Sequence, residues 1–416
     1  MTTSCPQSAQ TSIGPDWSYW PTRILGSQNP TRIGHRQGTH RIISPEETWL
    51  AIQPTLEPAG ITRVADLTWL DDLGIPTVQA VRPASLTLSV SQGKAATYRA
   101  AQVGAVMESL EGWHAENVTP DLLSTPAQHL ASSLTYDPAA LSRPPGSLYH
   151  PGAKLDWMVA TTLLSGRRTW VPWAAVVVNV AVHDCWGPPM FRMDTNGLAS
   201  GNSYDEATLH GLYEIMERHS LATAASGVTM FEVPTSDVAD SDSAQLVEMV
   251  HQAGSELRIA RIDTWEGFYC FSVELTSAMT EIPFIGHGLH HDPNVALSRA
   301  ITEAAQSRLT AISGAREDLP SATYQRFARM HTFAPARPSM VSMPDAGPTR
   351  WQVPSTDSLP DLVAAAASAV AATAGTEPLA VVCDFAGACV PVVRILAPGL
   401  TMSAASPMRT PLQEGS

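Results

Sequence analysis

The sequence predicts a globular protein of mixed α/β (α+β) class. Apolar residues make up 44% of the 416 residues and charged residues only 15%, a balance typical of chains that bury a large core. Short runs of β-branched residues alternate with long helical segments, and several of these segments carry acidic side chains on one face. At this length the chain can form one large domain or about two or three smaller ones.

The first third of the chain predicts an arm, a short helix, a group of strands and a long helix. Residues 1–44 have scattered Pro, Gly and Arg with little periodicity, which predicts an extended arm, and Pro45 predicts the start of a helix. Alternating apolar residues predict strands at Ile61–Thr68, Pro76–Val81 and Leu86–Val90. Gln92–Ala96 is predicted to be a turn that leads into an Ala-rich helix over Thr97–Glu116.

The sequence after residue 116 predicts further strands and helices. The β-branched run Trp170–Val182 predicts one or two central strands, and the Pro- and Thr-rich run Thr332–Pro354 predicts a loop. Asp292 followed by Pro293 is typical of a helix start. The predicted helices are Ser203–Ser220, Pro293–Ile312 and Leu359–Ala374. The predicted strands are Phe268–Leu275, Ala380–Asp384 and Cys389–Ile395.

Charge and composition argue against two classes of partner. The formal net charge is −14 and no Lys/Arg cluster exists, which argues against a nucleic-acid partner. The longest apolar stretches are too short or too Ala-rich to span a bilayer, and residues 1–11 show no secretory pattern. The five cysteines show no CxxC spacing, which favours reduced thiols in the cytoplasm.

Acidic side chains recur at helical spacing. Residues three, four, seven or eight apart share a helix face, so Glu206, His210, Glu214 and Glu217 are expected to point roughly the same way. Glu303 and Gln306, with Arg308, form a second face, and Glu108 and Glu111 a third. Converging carboxylates raise one another's pKa unless a cation lies between them, and Mg²⁺ is the divalent ion that combines carboxylates with phosphate oxygens.

Two cations extend this pattern to a nucleotide. Lys94 and Arg218 lie close in sequence to the acidic helices, a mixture that suits a nucleoside triphosphate carried with more than one Mg²⁺. No Walker sequence is present, because Gly93-Lys94 is followed by Ala95 and lacks the upstream glycine. The phosphates are therefore expected to be held by side chains and metals.

Structural explanations compete with these assignments. Ser203 and Glu206 also fit a capping box at the helix start. Glu108 and Glu111, taken alone, are more typical of a solvated helix face, and Lys94 of a turn.

The cluster His287, His290 and His291 permits a zinc site, although a loop lining a substrate cleft is the preferred interpretation. Cys185 is more typical of a buried structural thiol than of a nucleophile.

The longest motifs carry a family resemblance. Five segments of the sequence resemble the YcaO family of ATP-dependent enzymes that act on peptide backbone amides. They are Gln92-Gly93-Lys94, Glu108xxGlu111, SGNSYDEATLHGLYEIMER, RAITEAAQSR and the run 314–318. The similarity runs from about residue 61 to residue 400. It implies an arm and first helix over 1–60, a catalytic domain over 61–400 and a tail over 401–416. The implied fold has mixed β-sheets and acidic helices that enclose an ATP–Mg cleft. The recurring ExxE pair is compatible with an internal duplication.

The resemblance also implies an activity and residue roles. ATP would phosphorylate an amide oxygen, and loss of phosphate would leave a thioamide, an azoline heterocycle or a macrocyclic amidine. The implied Mg²⁺ ligands are Glu108, Glu111, Glu214 and Glu217. The implied ATP contacts are Lys94, Asn202, Glu206, Arg218 and Arg316. The implied catalytic motif is Glu303, Gln306 and Arg308.

Several alternatives stay open at this point. Many relatives have glycine in place of Ala95, and the run 406–416 does not match the PxPxP tail that is frequent in the azoline-forming branch. A precursor peptide is the expected substrate, a TfuA-like or precursor-recognition protein is a candidate partner, and a homodimer is expected. The competing hypotheses are a catalytically silent accessory protein and a ribosomal-protein maturation factor.

Overall fold

The computed structural model describes residues 31–179, 189–238, 242–277, 280–316, 340–342, 356–385, 388 and 390–402. These ranges leave out most of the predicted arm and most of the predicted tail. They also leave out Cys5, Cys185, Cys389 and the motif residues Glu317 and Asp318. The domain limits and the homodimer stay predictions.

Helices begin and end where the sequence places caps. Within the described residues they are α1 Pro45–Ile52, α2 Tyr98–Asn117, α3 Tyr204–Ala225, α4 Asp242–Gln252, α5 Pro293–Ser313 and α6 Leu359–Ala374. Ser44 and Glu47 form a complete capping box at α1, and the Asp292 side chain caps α5 as predicted. Gly375 ends α6 in the left-handed conformation that favours glycine. All helices except α4 had been predicted.

The strands of the described residues form three sheets. They are β1 Arg63–Asp66, β2 Thr77–Val81, β3 Val90–Lys94, β4 Leu122–Pro126, β5 Lys154–Thr162, β6 Arg168–Pro172, β7 Leu198–Ser200, β8 Met230–Val233, β9 Ser255–Ile262, β10 Tyr269–Ser277, β11 Thr280–His290, β12 Met340–Ser342, β13 Leu379–Val382 and β14 Val392–Leu396.

The first sheet is an antiparallel meander in the order β1-β2-β3, and it corrects two predictions. The predicted turn Gln92–Ala96 is wrong in its first part, because Gln92, Gly93 and Lys94 pair with β2 as strand residues. The predicted strand Leu86–Val90 is also wrong. There the Glu116 carboxylate accepts hydrogen bonds from the Leu86 backbone and from neighbouring side chains, so the segment bends around a buried ion pair with Arg82.

The second sheet has the order β11-β10-β9-β8-β12 and carries α5 on one face. Strand β10 confirms the predicted strand Phe268–Leu275. Met340–Ser342 lies within the predicted loop Thr332–Pro354 but pairs in parallel with β8, so that prediction is wrong for these residues. The apolar faces of α4 and α5 pack against this sheet in a core of their own.

The third sheet has the order β4-β5-β13-β14-β7, with β6 paired to β5. The prediction of central strands over Trp170–Val182 is confirmed only for Trp170–Pro172, which belong to β6. A short 3₁₀ turn follows β6 and residues 173–179 form no strand, while residues 180–182 lie outside the described ranges. Proline has no N–H to continue a ladder, which explains the early end. The central strands β13 and β14 agree with the predicted C-terminal strands, whereas β5 had not been predicted.

Three helices bring the sheets together. Helix α2 packs on the first sheet, α3 on β7 and β14 of the third, and α5 on the second while also contacting β3. Gly93 permits the close approach of α2, because a Cβ at this position would lie 2.0 Å from the Ala101 carbonyl oxygen. The acidic faces of α2, α3 and α5 consequently meet. None of the helices in the described ranges is long and apolar enough to cross a membrane.

Candidate active site

A polar cleft lies where these helices meet β3 and β11. Its charged side chains are Lys94, Glu108, Glu111, Glu214, Glu217, Arg218, Arg299, Glu303 and Arg316. The side chains of Glu214, Lys94 and Glu303 keep 23%, 26% and 27% of their surface exposed. They lie among many protein atoms but still reach solvent, as expected for the wall of a deep cleft.

Lys94 and Glu303 form an ion pair across the cleft. The Lys94 Nζ atom donates to Glu303 Oε2 at 2.9 Å. Burial alone would raise the pKa of Glu303, but the charges of Lys94, His287 and Arg218 outweigh it and hold this pKa at about 2. Glu303 is therefore ionised throughout the neutral range.

Glu111 and Glu214 are in the opposite electrostatic situation. Glu111 Oε1 accepts from the Ser200 backbone N–H at 2.8 Å and from the Ser200 hydroxyl at 2.7 Å. Glu214 Oε2 accepts from the Gly197 N–H at 3.1 Å. Burial raises the pKa of Glu111 to about 8, with the charges of Glu108 and Glu214 adding to it, and raises the pKa of Glu214 to about 7. A cation that enters between them would favour the ionised forms.

Glu108 lies nearer to the Lys94 side of the cleft. Its Oε2 atom accepts from the Gln92 N–H at 3.0 Å, and its side chain is exposed to the cleft. The surrounding protein raises the pKa of Glu108, while the nearby charges of Arg316 and Lys94 lower it. Arg316, two residues beyond the Gly314 cap of α5, is thus placed where its charge acts on the cleft.

Glu217 and Arg218 complete the α3 wall. Arg218 Nη1 lies 3.3 Å from Glu217 Oε1, and Arg218 Nη2 lies 3.6 Å from Glu214 Oε1. In the part of the chain that the structure describes, the glutamates do not place three ligand atoms within 4.8 Å of one another. The donor set fits Mg²⁺ that takes one or two carboxylates and completes its octahedron with phosphate and water oxygens. It does not fit a closed, all-protein cage.

Asn202 and Glu206 lie at the start of α3, away from the cleft glutamates. The buried Glu206 carboxylate accepts from the Asn202 side chain at 2.9 Å and from the Ile42 backbone N–H at 2.9 Å. The Ser203 hydroxyl accepts from the Glu206 N–H at 3.2 Å, which is half of the capping box considered from the sequence. These contacts fasten the segment before α1 to α3. The predicted ATP contacts of both residues stay predictions.

Gln306 packs against Gln92, and Arg308 turns away from the glutamates. Gln306 is buried, with its Nε2 atom 3.5 Å from the Gln92 backbone oxygen. Arg308 is buried and pairs with Asp72 at 2.7 Å and with Asp71 at 3.5 Å. Arg308 lies five residues beyond Glu303, which places it about 140° around the helix axis. The catalytic roles predicted for these two residues stay predictions that the contacts do not favour.

One cleft residue, Arg299, was given no role from the sequence, and a second, His287, was assigned to the wrong kind of element. Arg299 lies one helical turn before Glu303, so the i, i+4 spacing could have revealed it, and it contacts His210 at 2.7 Å. His287 was expected in a loop lining the substrate cleft, but it lies on β11. Burial lowers the pKa of His287, whereas the charges of Glu303 and Glu217 raise it. The interpretation of His287, His290 and His291 as loop residues is therefore wrong for the two that lie on β11.

Family comparison agrees with this geometry. The model of one family, described as YcaO cyclodehydratase, ATP- and Mg²⁺-binding, matches residues 92–401. The chain belongs to the YcaO family. The cofactors predicted from the sequence, ATP and Mg²⁺, are those of the YcaO description.

Relatives extend over most of the chain. An uncharacterized protein of Mycobacterium tuberculosis is 74% identical over 401 residues, which cover 96% of this chain and 91% of the relative. A protein described as lying in the tfuA 3′ region of Rhizobium leguminosarum bv. trifolii is 34% identical over 322 residues, which cover 74% of this chain and 75% of the relative.

Solved structures share the YcaO fold. The YcaO protein of Methanopyrus kandleri, bound with AMPPCP and Mg²⁺, matches with a TM-score of 0.69 at 23% identity, over 89% of this chain and 95% of the other. A heterocyclase in complex with substrate and cofactor matches with a TM-score of 0.71 at 18% identity, over 91% of this chain and 55% of the other. The mixed α/β fold predicted from the sequence is thus confirmed.

Proposed function

We propose that this YcaO protein uses Mg-ATP to phosphorylate the oxygen of a backbone amide in a ribosomally made peptide. The observation that carries the proposal is the convergence of four glutamates from α2 and α3 with cations from β3 and α3. These groups are Glu108, Glu111, Glu214, Glu217, Lys94 and Arg218. The family description and the nucleotide-bound neighbour support the same nucleotide and metal.

The four glutamates would hold Mg²⁺, which when bound neutralises charge on the transferring phosphoryl group. Lys94, Arg218 and Arg316 are the cations available for phosphate oxygens on the walls of the cleft. Lys94 would then exchange its bond to Glu303 for one to phosphate. Glu303 would be released as an ionised acceptor, able to orient the N–H of the substrate amide without taking its proton.

The reaction balances as one phosphoryl transfer and one substitution. The amide oxygen takes the terminal phosphoryl group of ATP and ADP leaves. A nucleophile bonds to the amide carbon, and the carbon–oxygen bond breaks so that phosphate departs with the former amide oxygen. Hydrogen sulfide as nucleophile would give a thioamide, a cysteine, serine or threonine side chain an azoline, and an amine an amidine.

Thioamide formation beside a TfuA-like partner is the branch we favour. Its support is the relative described by its position in a tfuA 3′ region, which is 34% identical to this chain. The catalytically silent accessory protein is the alternative. Burial that raises the pKa of Glu108, Glu111 and Glu214 in one cleft is a poor fit to a protein that binds no metal.

A labelled peptide tests the proposal. The protein is incubated with Mg-ATP, sulfide and a candidate precursor peptide, with and without a TfuA-like partner, after heavy oxygen is introduced at the candidate amide. We expect the heavy isotope in released phosphate and a peptide mass gain, relative to the labelled peptide, equal to the mass of sulfur minus that of the heavy oxygen isotope. Loss of one water instead would show azoline or amidine formation.

Matched variants separate activity from contamination. Glu214→Gln and Glu217→Gln should abolish isotope transfer while their circular dichroism stays that of the wild type. Glu248→Gln on the exposed face of α4 removes a carboxylate without touching the cleft and should retain full activity. Transfer at wild-type rates in both cleft variants would refute the assignment. Peptide or ATP binding without any transfer would favour the silent accessory protein.

A further inference from the structure

Three buried histidines form a second cluster. His40 precedes α1, His290 is the last residue of β11, and His291 follows it. One ring nitrogen of each lies within 4.8 Å of the other two, and no other such group of His, Cys, Asp or Glu occurs in the described ranges. The exposed fractions are 7%, 3% and 1%. The proposed phosphoryl transfer does not use these residues.

We propose that His40, His290 and His291 bind one Zn²⁺ ion, or a transition metal ion of similar preference for nitrogen, at a structural site. His40 Nδ1 and His291 Nε2 lie 3.2 Å apart. Two nitrogens bound to one tetrahedral zinc at about 2.0–2.1 Å are separated by roughly 3.3 Å. Two of the three ligands therefore already stand at the separation that such an ion requires.

Outer partners orient two of the rings. The Tyr213 hydroxyl lies 2.5 Å from His291 Nδ1, the nitrogen opposite the proposed ligand atom, and a hydroxyl in this position can fix the tautomer of a ligand histidine. His40 Nε2 lies between two groups, Arg36 Nη1 at 3.2 Å and Asp292 Oδ2 at 3.5 Å. The Asp292 backbone N–H donates to His290 Nδ1 at 3.0 Å, so His290 is the ligand that must exchange a bond when the ion enters.

The two clusters differ in chemistry. Imidazole nitrogens suit zinc, copper, iron and nickel, whereas the glutamate cleft suits Mg²⁺. A small cavity lined by His40 and His290, together with Arg41, Glu206 and Arg299, has room for about one water molecule.

The histidine site would fasten the segment before α1 to the junction of β11 and α5. That segment also supplies Ile42, whose N–H bonds Glu206 at the start of α3. A metal ion here would thus steady the helix that carries Glu214 and Glu217.

Metal content measures the site directly. The full chain is stripped with a chelator, loaded with Zn²⁺ in excess Mg²⁺, desalted and analysed by elemental mass spectrometry. We expect about one zinc per chain, and a loss of affinity of roughly tenfold or more in His40→Gln and in His291→Gln. His219→Gln is the matched control, because His219 is buried elsewhere and bonds the Thr401 carbonyl. It should retain zinc.

A spectroscopic measurement covers the case in which the variants do not fold. Co²⁺ added to the stripped wild-type protein should give the intense visible bands of tetrahedral nitrogen coordination, which excess Mg²⁺ leaves unchanged. Absence of these bands, no retained zinc, or equal zinc in the wild type and both folded variants would overturn the proposal. The cluster would then be a hydrogen-bonded chain of neutral rings. Each result is independent of phosphoryl transfer.

Discussion

The Lys94 ammonium group lies 2.9 Å from the Glu303 carboxylate, which joins β3 of the first sheet to the helix that covers the second sheet. The pair closes one side of the cleft, with about a quarter of each side chain exposed. An entering phosphate would compete with Glu303 for the same cation. The pair is thus placed to link nucleotide binding to the relative position of two sheets.

Replacement of Lys94 tests this link. In Lys94→Met the Glu303 carboxylate loses its closest cation, so its pKa should rise from about 2, and phosphate loses a binding group. We expect ADP formation in the presence of peptide to fall roughly hundredfold, in line with the loss of one preorganised charge. Lys154→Met, which removes an exposed lysine of β5, is the control. Rates within about twofold of each other in the two variants would show that Lys94 does not contact phosphate.

Glu111 and Glu214 should make the metal-free protein less stable as pH rises. Their pKa values are about 8 and about 7 when folded and near 4.5 when unfolded, so the folded state binds more protons across this window. The free energy of unfolding therefore falls with increasing pH from about 4.5 to 8. Mg-ATP should remove the slope, because a bound cation favours ionised carboxylates.

Thermal unfolding between about pH 7.5 and 8.5 measures the part of this slope that Glu111 supplies, because the buried histidines are then largely neutral in the folded and the unfolded state. Glu111→Gln should flatten the slope and Glu248→Gln should not. A melting temperature of the metal-free wild type that is constant or increases over this range would contradict the assignment.

The helices of the cleft could be predicted because their signals are local. Asp292 and Pro293 mark the start of α5, and the spacing of Glu214 and Arg218 places both on one face of α3. The order of the strands could not be predicted in this way. Strand β5 pairs locally with β6, but its other partners, β4 and β13, come from segments about 30 and 220 residues away.

The role of a side chain could be predicted only where it depends on which face of a single helix carries the residue. Glu303 reaches the cleft, where it pairs with Lys94, a contact that the sequence did not predict, and Arg308 lies on the other side of the same helix. The partnership of His40 with His291 spans 251 positions and leaves no periodic signal in the sequence. Tertiary contacts of this kind follow from the packing of separate sheets, which no local pattern encodes.

Arg308 should contribute to stability rather than to turnover. It is buried against Asp71 and Asp72, so Arg308→Leu leaves a buried carboxylate without its partner and should lower the free energy of unfolding by about 3 kcal/mol. Asp71→Asn should weaken the same contact. Urea unfolding measures both effects, and turnover per folded molecule should remain near that of the wild type. A folded Arg308→Lys variant without turnover would instead favour the catalytic role implied by the motif.

Gly93 and Gly104 face each other where α2 crosses β3, and they should respond oppositely to the same substitution. A Cβ at Gly93 would lie 2.0 Å from the Ala101 carbonyl oxygen and 2.2 Å from the Ala105 nitrogen, both backbone atoms that cannot move aside without shifting the helix. A Cβ at Gly104 would meet the nearest atom, the Gly93 Cα, at 3.5 Å, which is ordinary contact. Gly93→Ala should therefore destabilise by about 3 kcal/mol or more, whereas Gly104→Ala should be neutral or stabilise by about 0.5–1 kcal/mol through helix propensity. Urea unfolding of both variants decides the matter, and equal stability of the two would mean that α2 does not lie this close to β3.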